Sequence, residues 1–210
     1  MTTWRMFCAI ELPGEVRARL QEHIARLRKE FPDAAASWSR VENIHLTLKF
    51  FGNVEMDRIP KISAAATRST EQFSKFQVDV GNTGVFPRPS RAQVLWIGVS
   101  DPSNNLSALQ KQFDEACASA GFPKEDRAYH PHLTIARLRK PERRLADTHL
   151  QMHFEPVAVE INELILFRSE LSNKGSRYTP ISHHHLPDPE PIPVNQRGSS
   201  RGRGGAGGSF

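Results

Sequence analysis

Two cysteines in 210 residues are too few for a disulfide framework. Cys8 and Cys117 each fall inside an apolar pattern, so they read as small reduced core residues, and a cytoplasmic setting is expected. No uninterrupted apolar stretch reaches transmembrane length, so no membrane partner is expected. The opening MTTWRMFCAIELPGEV is too short and too polar for a secretory signal and reads as a first strand. A glycine-rich loop between a strand and a helix is also missing, which leaves chemistry driven by a cradled nucleotide without a motif. Acidic charge is in deficit, with a net charge of +5 at pH 7. Arg197, Arg201 and Arg203 add to that excess near the C-terminus and Asp188 and Glu190 subtract from it, so the body itself stays basic. A basic body favours phosphate-bearing partners through long-range steering and counterion release.

Against these absences stand short patterned runs. Val16, Leu20, Ile24, Leu27 and Phe31 recur at helical spacing between Pro13-Gly14 and Pro32. A second helical stretch carries Ile59, Ile62, Ala66 and Phe73, with Pro60 in its first turn. A third has Ser103 as its expected N-cap, apolar Leu106, Leu109, Phe113, Cys117 and Ala120, and a stop at Gly121. Between them lie strand-like runs: RMFCAIEL, IHLTLKFF, FQVDVGN, QVLWIGVS, HLTIARL and VAVEINELILF. The succession strand, helix, strand, helix over residues 1–75 returns over 92–152, which implies a diverged internal duplication and an α+β fold of two lobes. Residues 1–186 are expected to form one bilobal domain. Residues 187–210, almost wholly Pro, Gly, Ser and Arg, are expected to be a disordered tail able to make nonspecific contacts with RNA.

The repeat is sharpest in one phrase. NIHLTLKFFG surrounds His45, and YHPHLTIARLRK surrounds His132. On a strand, alternate side chains share a face, so His45 and Thr47 point one way while Leu46 and Leu48 anchor the other, and His132 and Thr134 do the same over Leu133 and Ile135. A single such histidine reads as a hydrogen-bonded structural residue. Two, in matching places of related lobes, would meet across one cleft. An imidazole titrates near ~6.5, so one member can be protonated and act as acid while the other acts as base, and two hydroxyls can hold non-bridging phosphate oxygens.

In these motifs the sequence resembles the two-histidine (2H) phosphoesterases, marked by paired His-x-Thr-x motifs (here residues 45–48 and 132–135) in a bilobal, pseudo-two-fold α+β fold. RMFCAIELP, WSRVENIHLTLKFFGNV, FPRPSRAQVLWIGV and YHPHLTIAR are similar to the RNA 2′,3′-cyclic phosphodiesterase branch, also called 2′-5′ RNA ligase, over roughly residues 4–180. The resemblance implies two lobes, each an antiparallel sheet with helices packed outside, and an active cleft between them. It implies hydrolysis of a 2′,3′-cyclic phosphate, at an RNA end or on a nucleoside, to a 2′-phosphate, with joining as the reverse reaction. By carry-over His45 is the proton donor to the departing 3′ oxygen, His132 the proton acceptor from water, and Thr47, Thr134 and Arg137 hold phosphate oxygens. A near-symmetric site can run the two histidine roles either way. Neither a metal nor another cofactor is implied. An RNA-end binding protein, and an enzyme acting on 2′-5′ linked oligonucleotides, are the alternative readings.

Several other residues carry a competing reading. Arg137 lies five positions after His132, the wrong parity for a regular strand, so a bulge must turn it back to the cleft. Lys49 has the right parity with His45 and Thr47 and is a further candidate. His130 with His132, and His183, His184 and His185, have spacings that suit zinc, but no Cys or acidic residue joins them at a ligand spacing, so no metal is expected. Trp96 and Phe7 sit in apolar strands and read as core. The run RLRKPERR, residues 137–144, reads equally as an RNA-tracking surface or a solvated face. One cleft within one chain needs no second subunit, so a monomer is expected.

Overall fold

The computed structural model describes residues 2–172 and 175–190; the Gly/Arg-rich stretch from 191 onward lies outside the described residues. Along the chain run β1 (Thr3–Ile10), α1 (Gly14–Glu30), β2 (Ala36–Trp38), β3 (Leu46–Glu55), α2 (Ile59–Thr70), β4 (Phe76–Phe86) and β5 (Val94–Ser100). Then follow α3 (Asn105–Ser119), β6 (His132–Leu138), α4 (Arg143–Gln151), β7 (Val157–Ile161), β8 (Glu163–Ser172) and β9 (Gly175–His185). Two antiparallel sheets result, ordered β3-β1-β8-β9 and β2-β6-β5-β4-β7.

The expected helices form where apolar spacing and end signals agree. In α1, Val16, Leu20, Ile24 and Leu27 are buried, Glu15 sits in the first turn and Arg28 and Lys29 in the last, each charge matching the nearer end of the helix dipole. Pro60 lies in the first turn of α2, which ends at Thr70, short of Phe73. The start of α3 corrects the sequence reading. Asp101 rather than Ser103 does most of the capping: its carboxylate accepts the Leu106 amide at 2.6 Å, whereas Ser103 Oγ accepts that of Asn105 at 3.4 Å. Asn104 between them takes a left-handed conformation, φ 59°, which Asn tolerates better than most residues.

The run VAVEINELILF breaks at Asn162 into β7 and β8, which belong to different sheets. The short β2 and the long β9 have no counterpart among the expected strands. With them placed, the duplication is plain: β1-α1-β3-α2 is echoed by β5-α3-β6-α4, β1 pairs with β3 as β5 does with β6, and β8 flanks β1 as β4 flanks β5. One continuous core joins the lobes: Met6, Leu46, Leu48 and Leu166 of the first sheet, Leu95, Ile97, Leu133 and Ile135 of the second, and Leu20, Ile62, Leu109 and Phe113 from the helices. Cys8 and Cys117 are free thiols inside it. Both sheets therefore spend one face on this shared core and leave the other for a site. At the C-terminal side Pro187 and Asp188, at the start of the expected tail, are still held: the Pro187 carbonyl accepts the Lys75 amide and Asp188 pairs with the Lys75 ammonium.

Where α1 meets α4, two imidazoles are buried together. His149 Nε2 lies 3.1 Å from both the Gly84 and the Trp96 carbonyl oxygens, so it carries the proton, and Nδ1 accepts from His23 Nε2 at 3.0 Å. Burial holds both rings neutral, with His23 pushed down to about 4. The unfolded chain binds a proton near pH 6.5 that folded His23 refuses until about pH 4, so this source of stability is whole above pH 6.5 and lost as pH falls through 4. Wild type should lose up to about 3 kcal/mol across that window, and His23→Gln should lose clearly less; denaturant titrations at several pH values would measure both slopes.

Candidate active site

β3 lies against β6 where the two sheets meet. Leu46 and Leu48, and Leu133 and Ile135, are in the shared core, so Thr47 and Thr134 issue from the opposite face. His45 stands one residue before β3 begins and is 8% exposed; His132 opens β6 and is half-buried. Each His-Thr pair thus leaves its strand on the face away from the shared core, and the two strands are neighbours where the sheets meet.

Directly after its threonine, each motif strand carries one extra residue. In β3 the register passes from Thr47 opposite Ala9 to Lys49 opposite Cys8, leaving Leu48 without a partner. In β6 it passes from Thr134 opposite Trp96 to Ala136 opposite Leu95, leaving Ile135 out. A bulge of this kind reverses which face the following residues take. For Arg137 this supplies what its parity required: Ile135 and Ala136 are both buried, and Arg137, opposite Val94, emerges exposed on the face of Thr134. For Lys49 it does the opposite, and the sequence reading is corrected. Lys49 is 6% exposed and turned into the fold, where its ammonium pairs with Asp114 of α3 and donates to the Pro123 carbonyl at 2.8 Å. Phe50 takes the open face instead, opposite Phe7 and 64% exposed. Laying HLTLKF on HLTIAR pairs Phe50 with Arg137, a signal the sequence held and the parity argument passed over. Neighbouring side chains satisfy the bulged carbonyls: Ser39 donates its amide to Ile135 O and its hydroxyl to Thr134 O, each at 2.9 Å, and Gln110 of α3 reaches Leu48 O at 3.5 Å.

Aromatic rings back both histidines. Phe167 lies 4.9 Å from the His45 ring, with Tyr178 and Phe7 at 5.5 and 6.2 Å; Phe86 lies 5.1 Å from His132, with Trp96 at 6.2 Å. Phe7 is buried with Phe167 in a small apolar core cluster separate from the main one, as a core reading requires, whereas Trp96 is only partly buried. The surroundings differ in charge. Glu11 sits beside His45, Oε1 3.8 Å from Nε2, one step beyond the Ile10–Leu46 pair. The matching position opposite His132 is Gly98.

Burial lowers both imidazoles below 6.5. Around His45 the Asn43 main chain and Glu11 favour the protonated form and Arg17 opposes it; Nδ1 itself is buried without a hydrogen bond of normal geometry. Arg17 also holds the approach to the motif, donating to Leu12 O at 2.9 Å and Glu42 O at 3.2 Å. Around His132 the His130 carbonyl favours the charged form, while Arg137 and the His130 ring oppose it. His132 Nδ1 lies 2.6 Å from that carbonyl and donates to it, so in the neutral ring Nε2 bears the lone pair.

Elsewhere, His184 is buried against Thr67 and Ser182 at 2.8 and 2.9 Å, and Glu163 approaches His183 at 2.9 Å and His185 at 3.5 Å. An acidic residue unseen in the sequence spacing does reach the triple His. Even so, among the described residues no three His, Cys, Asp or Glu side chains gather as metal ligands. Of RLRKPERR, Arg137 and Leu138 end β6, and Arg143 and Arg144 open α4. No helix of the described residues is long and apolar enough to cross a membrane.

Two lobes around one core, each delivering a histidine and a threonine from a bulged strand, are the architecture of a two-histidine phosphoesterase. The relationship is specific: with the model of the 2′-5′ RNA ligase superfamily matching residues 16–173, the chain belongs to that superfamily. It is 32% identical to an RNA 2′,3′-cyclic phosphodiesterase of Methanothermobacter thermautotrophicus over 87% of this chain and 98% of that protein. It is 27% identical to the protein of the same name from Escherichia coli, over 87% and 96%. Among solved structures, TT0787 of Thermus thermophilus superposes with a TM-score of 0.71 at 25% identity, covering 88% of this chain and 98% of that one. E. coli LigT does so at 0.68 and 28%, covering 90% and 100%.

The two strand parities separate by experiment. Lys49→Ala leaves the Asp114 carboxylate buried without a cation, with only the Glu125 amide donating to it, and should cost about 3–5 kcal/mol in denaturant unfolding, whereas Arg137→Ala should stay within about 0.5 kcal/mol of wild type.

Proposed function

We propose that this chain hydrolyses the 2′,3′-cyclic phosphate of an RNA 3′ end, or of a nucleoside 2′,3′-cyclic phosphate, to a 2′-phosphate, with His45 as general acid and His132 as general base. The observation that carries this reading is the one unequal neighbour of two equivalent histidines: each has a main-chain hydrogen bond that favours its protonated form and an arginine that opposes it, but only His45 has a carboxylate, Glu11, beside it. Relatives that the chain matches nearly end to end bear the name of this activity, and LigT has been solved with 3′-AMP.

The chemistry follows from those surroundings. Phosphorus lies between the rings, and in-line displacement puts the entering and leaving oxygens on opposite sides of it. His132 Nε2 takes a proton from water, and the new P–O bond forms as the P–O3′ bond breaks. His45, whose protonated form Glu11 favours, gives its proton to O3′, leaving the phosphate on O2′. Thr47 and Thr134 hydroxyls donate to the non-bridging oxygens, and Arg137 supplies charge-assisted hydrogen bonds where negative charge grows. Because O3′ departs toward His45, the ribose and its base lie on that side, where exposed Phe50 offers a face for stacking. Free, buried Cys8 and Cys117 suit a cytoplasmic enzyme, and both motifs come from one chain, which suits a monomer.

Given a nucleoside 2′,3′-cyclic phosphate in EDTA, wild type should release the 2′-phosphate. His45→Ala and His132→Ala should each lower kcat/KM by about 10²–10⁴, and Arg137→Ala by about 10²–10³. Turnover that chelation abolishes, or that survives His45→Ala, would sink the mechanism. The pH profile tests the assignment of roles: activity rises as His132 loses its proton and falls as His45 loses its own. Glu11→Gln removes a raising influence on His45, so it should move the alkaline limb to lower pH and leave the acid limb in place; movement of the acid limb instead would exchange the two roles.

A further inference from the structure

Lys49 follows the bulge that turns it away from the seam, and what it meets inside belongs to the other lobe. Its ammonium pairs with Asp114, in the middle of α3, and donates to the Pro123 carbonyl at 2.8 Å; Lys49 is 6% exposed and Asp114 4%. Both Asp114 carboxylate oxygens accept the Glu125 amide, each at 3.3 Å. One turn earlier on the same helix, Gln110 reaches the Leu48 carbonyl. Further along β3, Phe51 packs edge-on against Phe113 and Phe122. The strand of the first motif is thus moored to α3 and to the head of the segment, residues 121–131, that leads into His132. The far end of that segment is fixed as well, since the Pro131 carbonyl accepts the Val99 amide at 3.2 Å. Bracing runs the other way too: Ser39, on the approach to His45, holds the Thr134 and Ile135 carbonyls of β6.

An apolar pair of the same bulk would hold β3 to α3 about as firmly, because desolvation offsets much of the attraction between buried charges. What the ion pair adds is direction. The ammonium must donate to oxygens at set places around it, so β3, α3 and residues 123–125 lock in one relative position. We propose that Lys49 and Asp114 are positioning residues for the reaction, a strut between the lobes that fixes the gap between the two imidazoles so that both reach one phosphate together. The strut rests on the acid and base assigned under the proposed function, and it gives Lys49 a part in the reaction without contact with substrate. Neither Lys49 nor Asp114 is among the groups that favour or oppose a proton on His45 or His132, so the pair acts through distance and not through charge. In-line transfer needs each ring within hydrogen-bonding reach of its own oxygen, and a misplacement of ~1 Å costs about 10² in rate.

Replacing the pair by apolar residues of similar bulk separates position from stability. The double variant Lys49→Met/Asp114→Leu should unfold thermally close to wild type. Its kcat for a nucleoside 2′,3′-cyclic phosphate, counted per folded molecule, should fall at least about tenfold while KM changes less than about twofold, the mark of an interaction felt only in the transition state. Both limbs of the pH profile should stay in place. Crystal structures of the two proteins would read the gap between the imidazoles directly, with a difference of about 0.5 Å or more expected. If the double variant does not fold, Asp114→Asn, which keeps an oxygen for the ammonium, goes through the same measurements with a loss in kcat of at least about threefold. An unchanged kcat or an unchanged gap overturns the strut, and a moved limb shows action through charge and overturns it too. Failure of both variants to fold makes the pair a folding requirement and sinks the proposal. Should wild type turn over no cyclic phosphate, the proposed function fails, and the gap alone decides whether the strut exists.

Discussion

Residues five apart on a regular strand point to opposite faces, yet the proposed site takes a histidine, a threonine and a residue five places after the histidine, all on one face of the strand. One unpaired residue directly after the threonine of each motif, Leu48 in β3 and Ile135 in β6, resolves that conflict. The bulges are supported from outside the strands. Ser39 satisfies the carbonyls of Thr134 and Ile135, and the amide of Gln110 reaches that of Leu48, so the irregular backbone is not left with unmet hydrogen-bonding groups. What faces the seam depends on these two insertions more than on any charge.

The duplication delivers equal geometry, and a few substitutions make it unequal. Phe50 and Arg137 occupy matching positions, as do Glu11 and Gly98. An arginine disfavours the proton on each histidine, Arg17 at His45 and Arg137 at His132, but only His45 has a carboxylate, Glu11, that favours one, so one imidazole is biased toward giving a proton and the other toward taking one. Burial presses both the same way, which makes the neighbours the source of the difference. Gly98 lines an open cavity beside His132, where Glu11 takes the matching place beside His45.

Much of this was legible in the chain. The three long helices fall where apolar spacing and flanking prolines put them, and the His-Thr phrase identified both motif strands and the repeat. Arg137 could be named as a site residue only on condition of a bulge, because no local signal in HLTIAR marks Ile135 as the residue without a partner. Lys49 stood as a further candidate for the same reason: parity counted through Leu48 as if the strand were regular puts it on the face of Thr47, and the bulge turns it inward. The long β9 was missed because its residues, rich in Ser and His and interrupted by Pro180, lack the alternation that marks a half-buried strand. Glu11 drew no attention because it ends a strand-like run, and its nearness to His45 arises only from the pairing of β1 with β3.

Sequence by itself determined the two-lobed α+β plan, the pair of histidines and threonines, and the type of chemistry they permit. These are local matters of periodicity, spacing and side-chain pKa, readable one segment at a time. Tertiary structure alone decided which residues share the seam with them. Register between strands is set by packing over the common core and by hydrogen bonds from distant residues such as Ser39 and Gln110, and a shift of one residue moves a lysine into the interior and brings a phenylalanine and an arginine to the site.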